Sequence, residues 1–343
     1  MKAVYLTEHG GVEVLTYGDL PDPVPGGGEV LVRVRACGVN HVDLWLRKGL
    51  PFMQVPFPFV PGADIAGEVA AIGPATAALP VGTRVLVNPG VSCGQCERCL
   101  TGWDNLCTQY RLIGEPLPGG YAELVKVPAQ NLVALPEGMP FETAACLPAA
   151  FGTAWNMVFE KAKLEAGEWV LIQAAGSGVG SAAIQLARMV GAHVITTAGS
   201  DEKVEKAKAV GAHYAINYTT RDFLREVRRI TKKRGVDVVI EHIGGEIFER
   251  SLLCLATGGR LVTCGATSGY LPKTNLRHVF FRNLRILGAT TGSKGRLFRI
   301  LQLAHEGKLR PVVDRILPLR EARVAHQLLE DRQQFGKVIL VPE

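Results

Sequence analysis

The sequence predicts an α/β chain in two parts, an irregular β domain followed by a doubly wound parallel sheet. Three observations point there. Short β-type runs broken by Gly and Pro extend from Met1 to about Gln130, apolar runs alternate with helix-patterned segments beyond Trp169, and a glycine-rich turn joins the first of those later runs to an amphipathic helix. The composition agrees: 343 residues, 47% of them hydrophobic, with 39 Gly and 20 Pro, suit a folded protein of two domains and exclude a disordered or collagen-like chain.

In chain order, the first part carries runs at 30–34, 69–72, 84–87 and 121–125 that read as strands closed off by turn residues. From residue 169 the strand candidates are 169–174, 193–197, 213–216, 236–241, 260–264 and 284–287, separated by helix-patterned segments such as 202–210 and 222–233. Strands alternating with helices build a parallel sheet, because a helical crossover returns the chain to the same end. After Gly292 a helix is expected near 297–306, another near 321–331 and a last strand at 337–341. That tail is too short for a third domain and is expected to return to the first.

Lys and Arg number 38 against 32 Asp and Glu, a net charge of +6, and residues 221–234 hold five of those charges. Such a run reads as the solvated face of one helix rather than a nucleic-acid surface. The N-terminus has no apolar core of signal-peptide length, and no run approaches the ~18 apolar residues that cross a bilayer. A soluble cytoplasmic protein without membrane or nucleic-acid partners is expected. Eight cysteines are too dilute for a disulfide scaffold, yet four fall within fifteen positions.

Those four, Cys93, Cys96, Cys99 and Cys107, follow one another at intervals of three, three and eight. Structural zinc takes four thiolates tetrahedrally at ~2.3 Å, and short spacers let one loop deliver all of them. With every position filled by sulfur, no place remains for water or substrate. One zinc per chain, structural in role, is expected.

The second motif is an apolar strand, the turn Gly176-Ser177-Gly178-Val179-Gly180 and a helix. Glycines let the backbone approach a pyrophosphate, and the helix N-terminus offers it free N–H groups and a positive dipole end. The strand-turn-helix context makes this a dinucleotide site. An NAD site carries an acid about twenty residues further on to hold the ribose 2′-hydroxyl, but Ala198 stands there. Ser200 and Lys203, with Tyr218 flanking, suit a 2′-phosphate, so NADP(H) is expected, with NAD(H) as the alternative. Asp201 and Glu202 also read as ordinary first-turn residues of a helix.

Taken with Val30 to Asn40, Pro61-Gly62-Ala63-Asp64-Ile65-Ala66-Gly67-Glu68-Val69, Gly265-Ala266-Thr267-Ser268-Gly269 and Gly336-Lys337-Val338-Ile339-Leu340, these motifs resemble the medium-chain, zinc-type alcohol dehydrogenase and quinone oxidoreductase superfamily over nearly the whole length. The resemblance implies a GroES-like catalytic domain over 1–145, completed by 294–343, and a Rossmann domain over 146–293. It also implies a substrate cleft between them and a homodimer or homotetramer.

Three positions depart from the alcohol dehydrogenase pattern. The resemblance puts Asn40, Ala63 and Ala149 where that branch has the ligands of a second, catalytic zinc, and Val42 where it has a relay hydroxyl. Cys146 and His41 lie nearby without the family spacing, and Cys146 reads as a core thiol. Without a Lewis acid an alcohol's pKa is not readily lowered, whereas reduction of an electrophilic acceptor needs less help. The segment 38–49 resembles the quinone reductase branch, with Trp45 where that branch has Tyr. The resemblance thus implies an NAD(P)H-dependent reductase of a quinone or an α,β-unsaturated carbonyl. In it Asn40 and Asp43 order the site, Trp45 walls the acceptor, Thr153 contacts the nicotinamide carboxamide, and Gly265 lies at the cofactor. A zinc-type alcohol dehydrogenase and a nucleotide-binding protein without enzymatic activity are the alternatives. The acceptor stays unnamed, because cleft walls come from loops such as 48–58.

Overall fold

The computed structural model describes residues 1–50 and 53–343. Pro51 and Phe52, in the loop expected to wall the cleft, lie outside the described residues. Two compact units are formed, one from residues 1–149, 293–307 and 311–343, the other from 150–292 and 308–310.

The first unit is built around strand Glu29–Gly38, in which Val30, Val32, Val34 and Ala36 are buried and alternate with more exposed neighbours. Strand Asp64–Ile72 runs antiparallel to it. Leu124–Pro128 pairs with its first half, and the chain's last strand, Lys337–Val341, pairs with Cys37 and Gly38 at its end. The tail therefore does return to the first sheet. Arg84–Val87, Leu132–Ala134 and Val313–Pro318 complete seven strands. The run at 121–125 enters its ladder only at Leu124. Before it, Tyr121 N–H donates to the Pro61 carbonyl at 3.0 Å and Glu123 N–H to that of Lys2 at 3.0 Å, so these residues pair with loops and chain ends instead.

The second unit is a six-stranded parallel sheet in the order Tyr214–Asn217, His193–Ala198, Trp169–Ile172, Val236–Glu241, Leu255–Thr263, Arg285–Gly288. Numbered along the chain, that is 3-2-1-4-5-6, the doubly wound order of a Rossmann sheet, which binds nucleotides at the carboxyl ends of its strands. The first strand stops at Ile172, two residues short of the expected end, because Ala174 turns into the left-handed region at φ 54°. In the basic stretch, helix Phe223–Ile230 buries Phe223 and Val227, while Arg221, Arg225, Arg228, Arg229, Lys232, Lys233 and Arg234 are all exposed. Among the described residues no helix is long and apolar enough to cross a membrane.

Candidate active site

The four loop cysteines converge, with all their sulfurs within 4.8 Å of one another. Cys93 and Cys99 stand 3.8 Å apart and Cys96 and Cys99 3.5 Å. A tetrahedron with ~2.3 Å metal–sulfur bonds has edges of about 3.8 Å, so the donor set fits zinc. Backbone N–H groups of Gln95 and Cys96 pull the Cys93 thiol down to about 6, while its crowded neighbour Cys96 is pushed up to about 11. The loop is tied to the start of helix Lys294–His305: Lys294 N–H donates to Asp104 Oδ1 at 3.0 Å, and its ammonium reaches Asn131 Oδ1 at 3.0 Å. Ser293 makes no side-chain cap on that helix, so Asp104 supplies the acceptor from the cysteine loop. Among the described residues no other group of three or more His, Cys, Asp and Glu is placed to hold a metal.

A second polar cluster is built at the end of strand Glu29–Gly38, where Asn40 opens helix His41–Lys48. Asn40 N–H donates to Asp43 Oδ2 at 2.8 Å, the backbone half of a capping box. Its amide Nδ2 donates to Asp64 Oδ2 at 3.0 Å and the Gly38 carbonyl at 3.3 Å, and its Oδ1 accepts from the Lys337 ammonium at 2.7 Å. Lys337 places its other hydrogens on Asp64 Oδ2 at 2.8 Å and the Val39 carbonyl at 2.9 Å. The Asp64 side chain is fully buried and that of Lys337 only 5% exposed. Ala149 enters through its backbone alone, N–H to Asp64 Oδ1 at 2.7 Å.

Asp43 is fully buried, and desolvation pushes its carboxyl up to about 6 despite the Asn40 N–H, the Lys337 charge and a bond from Tyr121. Its Oδ1 has no hydrogen-bond partner. Burial, together with the charge on Asp43, raises Glu115 to about 7, and burial beside Lys337 and Arg332 pulls His41 down to about 4. Trp45 is half-buried, its ring 6.4 Å from that of His41. Sequence reasoning passed over Lys337 as a site residue and did not single out Tyr121 or His326. A lone lysine heading the apolar strand Lys337–Val341 was the available signal.

In the second unit, Ser177 caps helix Gly178–Val190 by accepting from Gly180 N–H at 2.8 Å, and its hydroxyl meets His242 Nε2 at 3.0 Å. A side chain at Gly180 would put Cβ 2.2 Å from the Ala174 carbonyl oxygen, so the turn closes only around glycine. Gly176, Gly178 and Val179 are partly exposed, as a phosphate cradle requires. Ser200 caps helix Asp201–Val210, its Oγ accepting from Lys203 N–H at 3.2 Å. Tyr218 is 44% exposed and packs its hydroxyl over Gly199, while Asp201 accepts from Asn217 at 2.8 Å. Thr153 is buried in helix Gly152–Trp155, and the Gly265 carbonyl accepts from the Thr263 hydroxyl at 3.0 Å.

Residues 26–137 match the alcohol dehydrogenase GroES-like domain family and residues 178–306 the zinc-binding dehydrogenase family. The chain is 33% identical to an NAD-dependent alcohol dehydrogenase of Sulfolobus acidocaldarius over 99% of both sequences. It is 31% identical to the quinone oxidoreductase of Mus musculus over 99% of this chain and 98% of that one. A crystal structure of an NAD-dependent alcohol dehydrogenase superposes with a TM-score of 0.95, at 50% identity over 99% of both chains.

Proposed function

The chain belongs to the medium-chain dehydrogenase/reductase superfamily and is an NAD(P)-dependent oxidoreductase, and from that premise we propose that it reduces a quinone or an α,β-unsaturated carbonyl without a catalytic metal. The observation that carries this reading is the Lys337 ammonium lodged against Asn40 and Asp64. Of the three positions aligned with the family's catalytic zinc ligands, Asn40 has its amide committed on both sides, while Ala63 and Ala149 offer no donor side chain. A fixed cation beside them further disfavours a divalent ion. The donor set does not fit a catalytic zinc. The cysteine loop does fit one, in a structural role.

The reduced nicotinamide of NAD(P)H, when bound, would supply the hydride and leave as the oxidised cofactor. The glycine turn would hold the pyrophosphate through the N–H groups of Gly178 and Val179, with Gly180 N–H already given to the Ser177 cap, and Thr153 and Gly265 would meet the cofactor. Asn40 and Asp43 fix the start of the helix that carries His41 and Trp45, and Trp45 walls the acceptor, so the rate comes from positioning. Self-association as a dimer or tetramer belongs to the same reading, supported by the exposed apolar side chains Leu271, Leu276, Phe280 and Phe281. Some of the relatives are named alcohol dehydrogenases, which supports a second reading, an alcohol dehydrogenase. The two separate in a screen of NADPH and NADH oxidation against quinones, enones, aldehydes and ketones with zinc measured in parallel. Turnover of a quinone or enone at one zinc per chain, unchanged by brief chelation or added zinc, is expected. Turnover confined to an alcohol–ketone pair and dependent on a second, loosely held zinc overturns the proposal.

NADP(H) is the proposed preferred nucleotide, because Ala198 leaves no acid at the ribose and Ser200, Lys203 and Tyr218 lie beside it. Lys203→Ala is expected to weaken NADPH binding about tenfold, the loss of one charge-assisted contact, and NADH much less. Titration of nucleotide fluorescence checks this, and equal weakening of both nucleotides refutes it.

A further inference from the structure

We infer that Tyr121 and His326 are positioning residues for the reaction centre, links in a one-way line of hydrogen bonds that begins at Arg47 and fixes the carboxylate of Asp43. The inference rests on the proposed reading of Asp43 as part of that centre. Arg47 Nη1 lies 3.2 Å from His326 Nδ1, His326 Nε2 lies 3.2 Å from the Tyr121 hydroxyl, and that hydroxyl donates to Asp43 Oδ2 at 3.0 Å. All four side chains are fully buried.

The hydrogens in this line have one arrangement. A guanidinium only donates, so Nδ1 of His326 must accept, and the neutral ring then carries its hydrogen on Nε2. Burial and the charge of Arg47 pull His326 down to about 3, which keeps it neutral. Nε2–H donates to the Tyr121 oxygen, which leaves the tyrosine hydrogen directed at Asp43. At the far end Arg47 is balanced by Glu330 at 2.5 Å, itself partly exposed and shared with Lys48 at 2.7 Å. Because arginine does not give up a proton in proteins, the line cannot pass one to the surface. It orients and does not conduct.

The line ends on the helix that carries Trp45. Asp43 Oδ2 takes both the Tyr121 hydroxyl and Asn40 N–H, so the carboxylate oxygen that Tyr121 fixes also holds the start of helix His41–Lys48. Tyr121 is itself seated by Gly62, whose φ of 104° and lack of Cβ let the ring approach: an added Cβ would fall 2.4 Å from Tyr121 Cδ1. The groups that act on Asp43 are the cation of Lys337, the carboxyls of Asp64 and Glu115, the Cys37 thiol, and the Tyr121 hydroxyl. Of these, Tyr121 is the side chain that hydrogen-bonds the carboxylate.

The test uses the zinc-loaded enzyme and reads Asp43 directly, by isotope-edited infrared titration of its carboxyl, beside the pH profile of kcat/KM. Tyr121→Phe keeps the ring and removes one donor to the charged form, so the Asp43 titration is expected to rise by about one pH unit. The acid limb of kcat/KM should follow it while KM for the nucleotide stays within about twofold. His326→Leu should reproduce the shift and His326→Gln, which keeps an N–H toward Tyr121, should restore most of the native titration. This pair also serves if Tyr121→Phe does not fold. An unmoved Asp43 titration, or equal behaviour of the Leu and Gln variants, overturns the inference. Shifted titration in an enzyme that turns over neither quinone nor enone supports the line and sinks the proposed reaction instead.

Discussion

Lys337→Met will lower the unfolding free energy by about 3–5 kcal/mol, the range for breaking a buried ion pair on one side. The substitution leaves Asp64 fully buried with its cation gone, and takes from Asn40 the donor to its Oδ1. Ala149 N–H and Asn40 Nδ2 remain on the carboxylate, but neither is charged. The double variant Lys337→Met/Asp64→Asn should recover more than half of the loss, because it removes both charges together. Denaturant unfolding of the two variants decides the matter. A double variant as unstable as Lys337→Met alone would mean that lost packing, and not the stranded charge, sets the cost.

The other large effect is expected at the cysteine loop. Zinc bound by four thiolates supplies about 10–16 kcal/mol of apparent binding energy in small zinc domains, and that energy is folding energy for the loop that holds it. Cys96→Ser should bring zinc content well below one per chain and lower the thermal midpoint by several degrees, at about 2–4 °C per kcal/mol for a unit of this size. Turnover per folded subunit should stay near normal if the ion, as proposed, is saturated by sulfur and touches no reacting atom. Zinc analysis, calorimetry and activity on the same samples check this. Lost chemistry with unchanged stability would contradict a structural role.

The parallel sheet was readable in the sequence because strands buried on both faces are near-continuous apolar runs, as in Trp169–Ile172, and the glycine turn needs its residues side by side. The cysteine loop was readable for the same local reason. Ends of elements were less so: nothing in the composition of Ala174 announces a positive φ, and the β-type run Tyr121-Ala122-Glu123 reads as strand although its backbone pairs outside the ladder. The polar cluster proposed as the reaction centre was hardest to see. Arg47 closes a helix where a solvated cation is the ordinary expectation, yet it is fully buried, and its partner His326 lies 279 residues away. Such pairings follow from which strands become neighbours, and no local pattern encodes that.

The ammonium and carboxylate of Lys337 and Asp64 are separated by 273 residues, whereas Ser177 caps its helix through Gly180 only three residues on. Closing so long a loop costs only slowly growing entropy, but its contacts reward the chain late in folding. Both charges are out of water in the folded unit, where Lys337–Val341 lies beside the end of Glu29–Gly38. The cluster around Asp64 is thus complete only when the strand Lys337–Val341 is in place, whereas the glycine turn is capped by residues next to it in sequence.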